Sequence, residues 1–513
     1  MRNDQCVDFL YRLTSYCFAE GDITFEWSKC IIKPIPKAGS SDAREPLNYR
    51  GISLLSVPYK IYADILNHRL SKWLESNGIL CDEQNGFRRE RSCQEHIYTL
   101  YTIVNNRKLA RQSTLSCFID LRKAYDSISR ECLWYKLLSV GINGKMFDAI
   151  KSLYNAVQCT VNVNDMFSPW FTVNTGLKQG CKISTSLFSV YVNDLIIEIK
   201  NLNCGIQIDD KMVSILAYAD DLVLMAPTAE SLQNMLDVVY KWCSKWRLAV
   251  NEDKTKIVHF RPPSFERCSY NFTCGPSLIQ YESCYKYLGI WLNEHLNMAK
   301  TVTEITKSSS RALSALYTKC LQAGGVTYNV FTKLYESLVE PVMLYSASIW
   351  GVGIAEQKKI QTVQNKACRY FLGGAKHASN VALRGDMGWT SANVNIKTEV
   401  FRSYMKLGRL PSSRLVKHVH DWSKQINRSW ESRVLKLAQS CECSPIVTND
   451  SKSIKLLVKE LKQSLSVTDA IVWENELVKS EKLRTYKQYK CVLETEHYCK
   501  IPLSRDQRRT LFK

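Results

Sequence analysis

Ser214-Ile-Leu-Ala-Tyr218-Ala-Asp220-Asp221-Leu-Val-Leu-Met225 sets two adjacent carboxylates between two short apolar runs. An apolar run, a tight turn and a second apolar run predict a buried β-hairpin with Asp220 and Asp221 at its tip. Two carboxylates so close repel one another, and partial burial strips away the water that would screen them. A bound divalent cation relieves that repulsion, because carboxylate oxygens are the ligands Mg²⁺ prefers. The plainer reading is an exposed turn, since Asp is common in turns. A second stretch decides between them. Leu115-Ser-Cys-Phe-Ile-Asp120 is another apolar run that ends in a carboxylate. A strand delivering Asp120 beside the hairpin completes a three-carboxylate cage for two metals, the arrangement used in phosphoryl transfer.

Tyr218-Ala-Asp220-Asp221 resembles the YxDD box of reverse transcriptases. Phe118-Ile-Asp120-Leu-Arg-Lys-Ala-Tyr125-Asp126 resembles their motif A, and Gly176-Leu-Lys-Gln179-Gly180-Cys-Lys-Ile-Ser184 their motif B. The three stand in the family's order. Asn48-Tyr-Arg50-Gly-Ile-Ser-Leu-Leu-Ser56 resembles the NYRPISLLS finger motif of non-LTR retrotransposon polymerases, with Gly51 in place of proline. Gln84-Asn-Gly-Phe87-Arg88-Arg-Glu-Arg91-Ser resembles their QxGFRxxRS segment. Leu248 to Phe260 resembles motif D, and Tyr285-Lys-Tyr287-Leu-Gly289-Ile motif E. Tyr345-Ser-Ala-Ser-Ile-Trp350 and Gln364-Asn-Lys-Ala-Cys-Arg369 resemble segments that follow the polymerase in the same elements. The likeness runs from roughly residue 20 to 390.

The resemblance implies an α+β fold, the right-hand polymerase. An N-terminal extension and fingers would occupy residues 1–110, a palm with an antiparallel sheet 111–292 and a helical thumb 293–377. A helical, basic region without an assigned role would fill 378–513. It implies RNA-directed DNA synthesis by a LINE-type, jockey-like enzyme that extends a primer 3′-hydroxyl with dNTPs. Asp120, Asp220 and Asp221 would hold two Mg²⁺ ions, with Mn²⁺ as a substitute, and Lys254 would protonate the departing pyrophosphate. Lys37 and Arg50 would face the triphosphate. Tyr125 would fill the space of a ribose 2′-hydroxyl, and Gln179 and Gly180 would lie against the nucleotide. Phe87, Arg88 and Arg91 would lie over the template, an aromatic and basic mixture that suits a nucleic-acid backbone. Tyr218, with Tyr287, Leu288 and Gly289 of the primer grip, would meet template and primer. Plainer roles stand beside these: surface cations for Lys37, Arg50 and Lys254, core packing for Tyr125, and a solvated basic loop for 84–92. Motif B departs from the family, because Lys182 and Thr185 stand where prolines are usual.

A chain of 513 residues has room for two to four subdomains. Lys and Arg number 69 against 49 Asp and Glu, a formal charge of +20, which suits an RNA template and a DNA primer as partners. No apolar run approaches the roughly 20 residues of a spanning helix. Met1-Arg-Asn-Asp-Gln does not read as a signal peptide, so an intracellular protein is expected, working on DNA in the nucleus and assembling with RNA in the cytoplasm. Most of the twenty cysteines read as small buried hydrophobes. Cys441-Glu-Cys443 and Cys491 with His497 and Cys499 are ligand types for zinc at a spacing that fits no standard finger. Nothing resembles an endonuclease or RNase H, so an endonuclease is expected from elsewhere in the element. The chain stops at Lys513 without a terminating signal, as a partial reading frame would.

Apolar stripes predict helices over 59–76, 184–199 and 228–247, a helical run over 297–375, and lysine-rich helices over 452–464 and 474–490. Helical spacing of Phe9, Leu10, Leu13 and Phe18 marks the first 30 residues. Two rival readings stay open. One is a group II intron maturase, against which the 48–50 and 345–350 segments argue. The other is a decayed or domesticated copy that binds nucleic acid without polymerising; the intact carboxylates speak against it, and Gly51, Lys182 and Thr185 keep it open.

Overall fold

A computed structural model describes residues 4–37, 42, 44–441 and 453–512. The chain divides into two compact units. The first holds residues 1–96, 114–259 and 266–282, and the second holds 97–113, 260–265 and 283–513. The segments read as thumb and as C-terminal region therefore fall together, joined by 97–113, which the sequence places with the fingers.

The first unit is built on two sheets. In one, β1 (Lys29–Pro36) is flanked by antiparallel β2 (Tyr49–Leu54) and parallel β4 (Gln158–Val163). The other runs β8 (Gln280–Tyr281), β7 (Lys256–Phe260), β3 (Thr114–Ile119), β6 (Asp221–Ala226), β5 (Ile215–Tyr218). Its centre, β3–β6–β5, is antiparallel, while β7 and β8 pair in parallel. Every residue of β3 is buried, Thr114 and Ser116 included, in a strand whose other residues are apolar.

Helices cover this sheet. α2 (Val57–Ser76) starts at Ser56, whose hydroxyl accepts from the Tyr59 N–H, and it buries Tyr62, Leu66, Leu70 and Leu74. α3 (Lys182–Asn201) is apolar on most of its surface and packs between α2 and α4 (Ala229–Lys245). Thr228 caps α4, and Leu232, Met235, Leu236, Val239 and Trp242 form its buried stripe. Each helix begins and ends within two residues of its predicted bounds. The N-terminal helix α1 (Asp4–Glu20) buries Thr14 and Cys17 and leaves Phe9 63% exposed, so the stripe read from its aromatics is only partly its inner face.

The described residues of the second unit are mostly helical and include the hairpin Cys284–Tyr287/Ile290–Asn293. Its longest helices span Ala299–Gln322, Ile354–Leu372, Ala392–Gly408 and Ile454–Lys479. The last is one continuous helix where the sequence suggested two. Its core includes a polar cluster: the Tyr98 hydroxyl donates to Glu431 and lies 3.0 Å from His420 Nδ1. Ser423 also donates to Glu431, and Asn106 donates to the Ser423 hydroxyl at 2.8 Å. Among the described residues no helix is long and apolar enough to cross a membrane.

Candidate active site

The β5–β6 hairpin closes with a two-residue turn. Tyr218 pairs with Asp221, which leaves Ala219 and Asp220 as the connection. Asp220 therefore stands in the turn and Asp221 opens β6, a small shift from two carboxylates at one tip. The register of β6 on β3 pairs Leu222 with Ile119, so one residue further it sets Asp221 opposite Asp120. Backbone pairing thus unites the two predicted stretches.

Burial and like charge act together there. Burial, then the neighbouring carboxylates Asp220 and Asp120, push the Asp221 carboxyl up to about 6, although its side chain is open to solvent on one side. Burial raises Asp220 as well, with Asp120 adding to it and its own backbone N–H opposing. Arg50 is close enough to favour the ionised form of both. The donor set suits a hard divalent cation: carboxylate oxygens brought close together. As the side chains stand, no group of three or more His, Cys, Asp or Glu among the described residues is arranged to hold a metal. The fit is one of donor chemistry and strand register.

Asp120 is held from behind by the segment that follows α4. Its backbone N–H donates to the Thr255 hydroxyl (3.2 Å), and its carbonyl accepts from the Asn251 N–H (2.7 Å). Asn251 Nδ2 donates to Asp120 Oδ2 at 2.9 Å, and Lys254 Nζ lies 4.0 Å from the same oxygen. Lys254 thus reaches the carboxylate site. Asn251 and Thr255 carry no mark in one sequence that sets them apart from other turn residues.

Motif B is stitched to motif A and to β2. Leu177 N–H donates to Tyr125 O and Ser53 N–H to Gln179 O, at 2.8 and 2.7 Å. Gly176, at φ 79°, lies so close that a Cβ would meet Asp126 backbone at 2.7 Å, which explains glycine there. The Gln179 amide donates to Asp126 Oδ1 at 3.3 Å, and Gly180 backs onto the Ser53 carbonyl. A cavity of about 290 Å³ opens here, lined in part by Gly51, Ser53, Asp126, Gly176 and Gln179. The three carboxylates are not among its lining residues.

The Tyr125 ring stacks on Phe188 of α3, centroids 4.8 Å apart and planes 10° apart. Its buried hydroxyl has no hydrogen-bond partner among the described residues, and burial with the Asp220 charge keeps it protonated. Arg50 is exposed on β2. Lys37 Nζ donates to the Leu47 carbonyl at 2.8 Å, and Lys37 is close enough to Asp126 to favour its ionised form.

The segment over 84–92 differs from expectation. Arg88 and Arg91, read as template contacts, point inward. Arg88 makes a two-pronged pair with Glu75 at 2.7 Å, and it also donates to the Cys81 and Gln84 carbonyls. Arg91 is paired with Asp82 and donates to Asn85 Oδ1. Both guanidiniums tie a loop together, a job that composition cannot distinguish from phosphate binding. Phe87, 61% exposed, and Arg89 form the open face of this segment, and Phe87 lies 6.5 Å from the Tyr218 ring.

Tyr287, Leu288 and Gly289 belong to the second unit. The Tyr287 ring is buried rather than presented, which corrects its reading as a primer contact, and Leu288 and Gly289 form the hairpin turn. The Tyr345 hydroxyl donates to Leu288 O at 2.6 Å. Of the zinc-type residues, Cys443 lies outside the described residues. Cys441, Cys491, His497 and Cys499 belong to no group of three able to hold a metal among the described residues.

Residues 35–292 match the family model for reverse transcriptase (RNA-dependent DNA polymerase). The chain is similar to a probable RNA-directed DNA polymerase from transposon BS of Drosophila melanogaster, 25% identical over 391 residues, covering 75% of this chain and 42% of that protein. It is also similar to the RNA-directed DNA polymerase from mobile element jockey of Drosophila funebris, 23% identical over 380 residues, covering 72% and 41%. The chain thus spans under half the length of these relatives. Among solved structures, telomerase from Candida albicans in complex with a fragment of telomeric RNA aligns over 94% of this chain and 68% of that one, at 12% identity and a TM-score of 0.40.

Proposed function

This chain belongs to the reverse transcriptase (RNA-dependent DNA polymerase) family, and from that premise we propose that it extends a primer 3′-hydroxyl with dNTPs on an RNA template. Membership carries the right-hand polymerase fold and dependence on a divalent metal; Mg²⁺ is our choice of ion. The observation that supports the reading best is the register that sets Asp221 opposite Asp120, with Asp220 in the adjoining turn.

In this reading Asp120, Asp220 and Asp221 hold the metal. Divalent cations bound there supply charge that acidifies the primer hydroxyl and offsets the charge of the departing pyrophosphate. Asn251 fixes Asp120 in orientation through its carbonyl and one carboxylate oxygen. Arg50 offers positive charge to the triphosphate from the edge of the finger sheet, and Lys37 does so beside Asp126. Gln179 and Gly180 form the floor of the nucleotide site next to the cavity. Lys254 sits where a proton can be handed to a leaving oxygen near Asp120. Tyr125, braced by Phe188, blocks a 2′-hydroxyl. Phe87 and Arg89 offer an aromatic and a cationic contact to the template strand. An endonuclease acting with this polymerase, and work in the nucleus after RNA assembly in the cytoplasm, complete the proposal.

The test is primer extension by purified protein. Asp220→Asn should abolish dNTP incorporation while leaving template–primer binding intact, because metal is lost and basic contacts remain. Extension above a few per cent of wild type would rule out the metal assignment. Wild type that binds template–primer and extends nothing would favour the decayed copy.

A further inference from the structure

Gln84, Asn85 and Gly86 pack under the turn that carries Asp220. Gln84 bridges Ala217 in parallel register. Ala217 N–H donates to Glu83 O at 3.0 Å, and Asn85 N–H to Ala217 O at 2.8 Å. The Gln84 side chain, itself fully buried, reaches one residue further. Its Oε1 accepts from the Ala219 N–H at 2.9 Å and from the Gly86 N–H at 2.8 Å. Its Nε2 donates to the Ala219 carbonyl at 3.3 Å. One amide therefore satisfies both backbone polar groups of the residue that joins Tyr218 to Asp220.

Ala219 needs that hold. It sits at φ 58°, a left-handed conformation that strains an L-residue. It is also 3% exposed, so water cannot replace a lost partner. Gly86 completes the clamp: a Cβ there would fall 2.1 Å from the Ala219 nitrogen. Among the amino acids, glutamine alone carries a donor and an acceptor side by side on a two-methylene stem, neutral at every pH. Glutamate would lose the donor and set a third buried charge beside Asp220 and Asp221.

We propose that Gln84 is a positioning residue that sets the attitude of Asp220 and Asp221 by gripping Ala219. The inference rests on the polymerase reading above. It touches neither substrate nor metal; it acts through the turn.

The experiment uses the full chain in steady-state primer extension, with template–primer affinity measured without metal. Gln84→Leu should lower kcat about tenfold or more, with the KM for dNTP and template–primer affinity within about twofold of wild type. The Mg²⁺ concentration for half-maximal rate should rise. Gln84→Leu also costs stability, so Ala219→Gly is added to relieve the strained φ. In the double variant the melting temperature should recover and kcat should stay low. Recovery of both would make the amide a mere stabiliser and overturn the proposal, as would a folded Gln84→Leu with wild-type kcat. If Gln84→Leu does not fold, Gln84→Asn carries the same readouts, since it keeps both polar groups on a shorter stem. A wild type without activity would fail the polymerase reading instead, so the two failures are separable.

Discussion

Tyr125 shows how one side chain's role depends on its neighbour. Its ring lies flat on Phe188, so its position is set by α3 and not by its own turn. Tyr125→Ala should admit rNTPs with dNTP use little changed. Phe188→Ala should relax sugar choice in the same direction but less far, because the ring remains and loses its brace. Competition between dNTP and rNTP incorporation measures both; a Tyr125→Ala protein as selective as wild type would assign the gate to another residue. The arginines of the 84–92 segment separate in the same manner. Arg88→Ala should lower the melting temperature, the pair with half-exposed Glu75 being worth on the order of 2 kcal/mol, less than a fully buried one. The salt dependence of template binding should not change. Arg89→Ala should do the opposite, leaving stability intact and flattening the log–log salt slope by about one. Equal slopes for Arg89→Ala and wild type would remove it from the template face.

At the scale of elements, the departure from the family in motif B has a physical reading. Lys182 opens α3, and its ammonium donates to Asp64 Oδ2 of α2 at 2.8 Å. The pair is exposed on both sides, so it contributes ~0–1 kcal/mol. A proline at the first helical position gives up an N–H that the helix leaves unpaired, and restricting the unfolded chain gains ~0.4–1 kcal/mol. Lys182→Pro should therefore leave the melting temperature unchanged or slightly raised, with the KM for dNTP equal or lower. A several-fold higher KM at constant melting temperature would place the lysine charge in nucleotide binding. Elements were legible where their periodicity was clean. The hairpin strands and β3 are mostly apolar runs, and α2, α3 and α4 carry apolar stripes, with side-chain caps on α2 and α4. The helix Cys93–Leu109 carried no such signal, since it buries Thr99, Thr102, Asn105 and Asn106 alongside its apolar residues and shows no amphipathic face. The carboxylates and Tyr125 could be named from spacing and resemblance. The inward turn of Arg88 and Arg91, and the reach of Gln84 to Ala219, depend on contacts between distant segments that no local pattern encodes.

For the whole molecule, the charge of +20 makes binding to nucleic acid largely a matter of counterion release. Affinity for template–primer should fall linearly on a log–log plot against salt, by roughly 0.7 to 0.9 per phosphate contact. A slope near zero would contradict a nucleic-acid groove of any kind. The division into units adds a matter of timing. Tyr98 and Asn106 are made early, yet their buried partners His420, Ser423 and Glu431 lie 317 to 333 residues later. At a synthesis rate of about 5–20 residues per second, that is on the order of 16 to 67 s. For that interval the nascent chain carries a helix with polar groups built for burial and nothing to bury them against. The polymerase motifs are complete on the ribosome well before this helix meets its partners, and any clipped or prematurely ended product that stops short of Glu431 inherits the gap permanently.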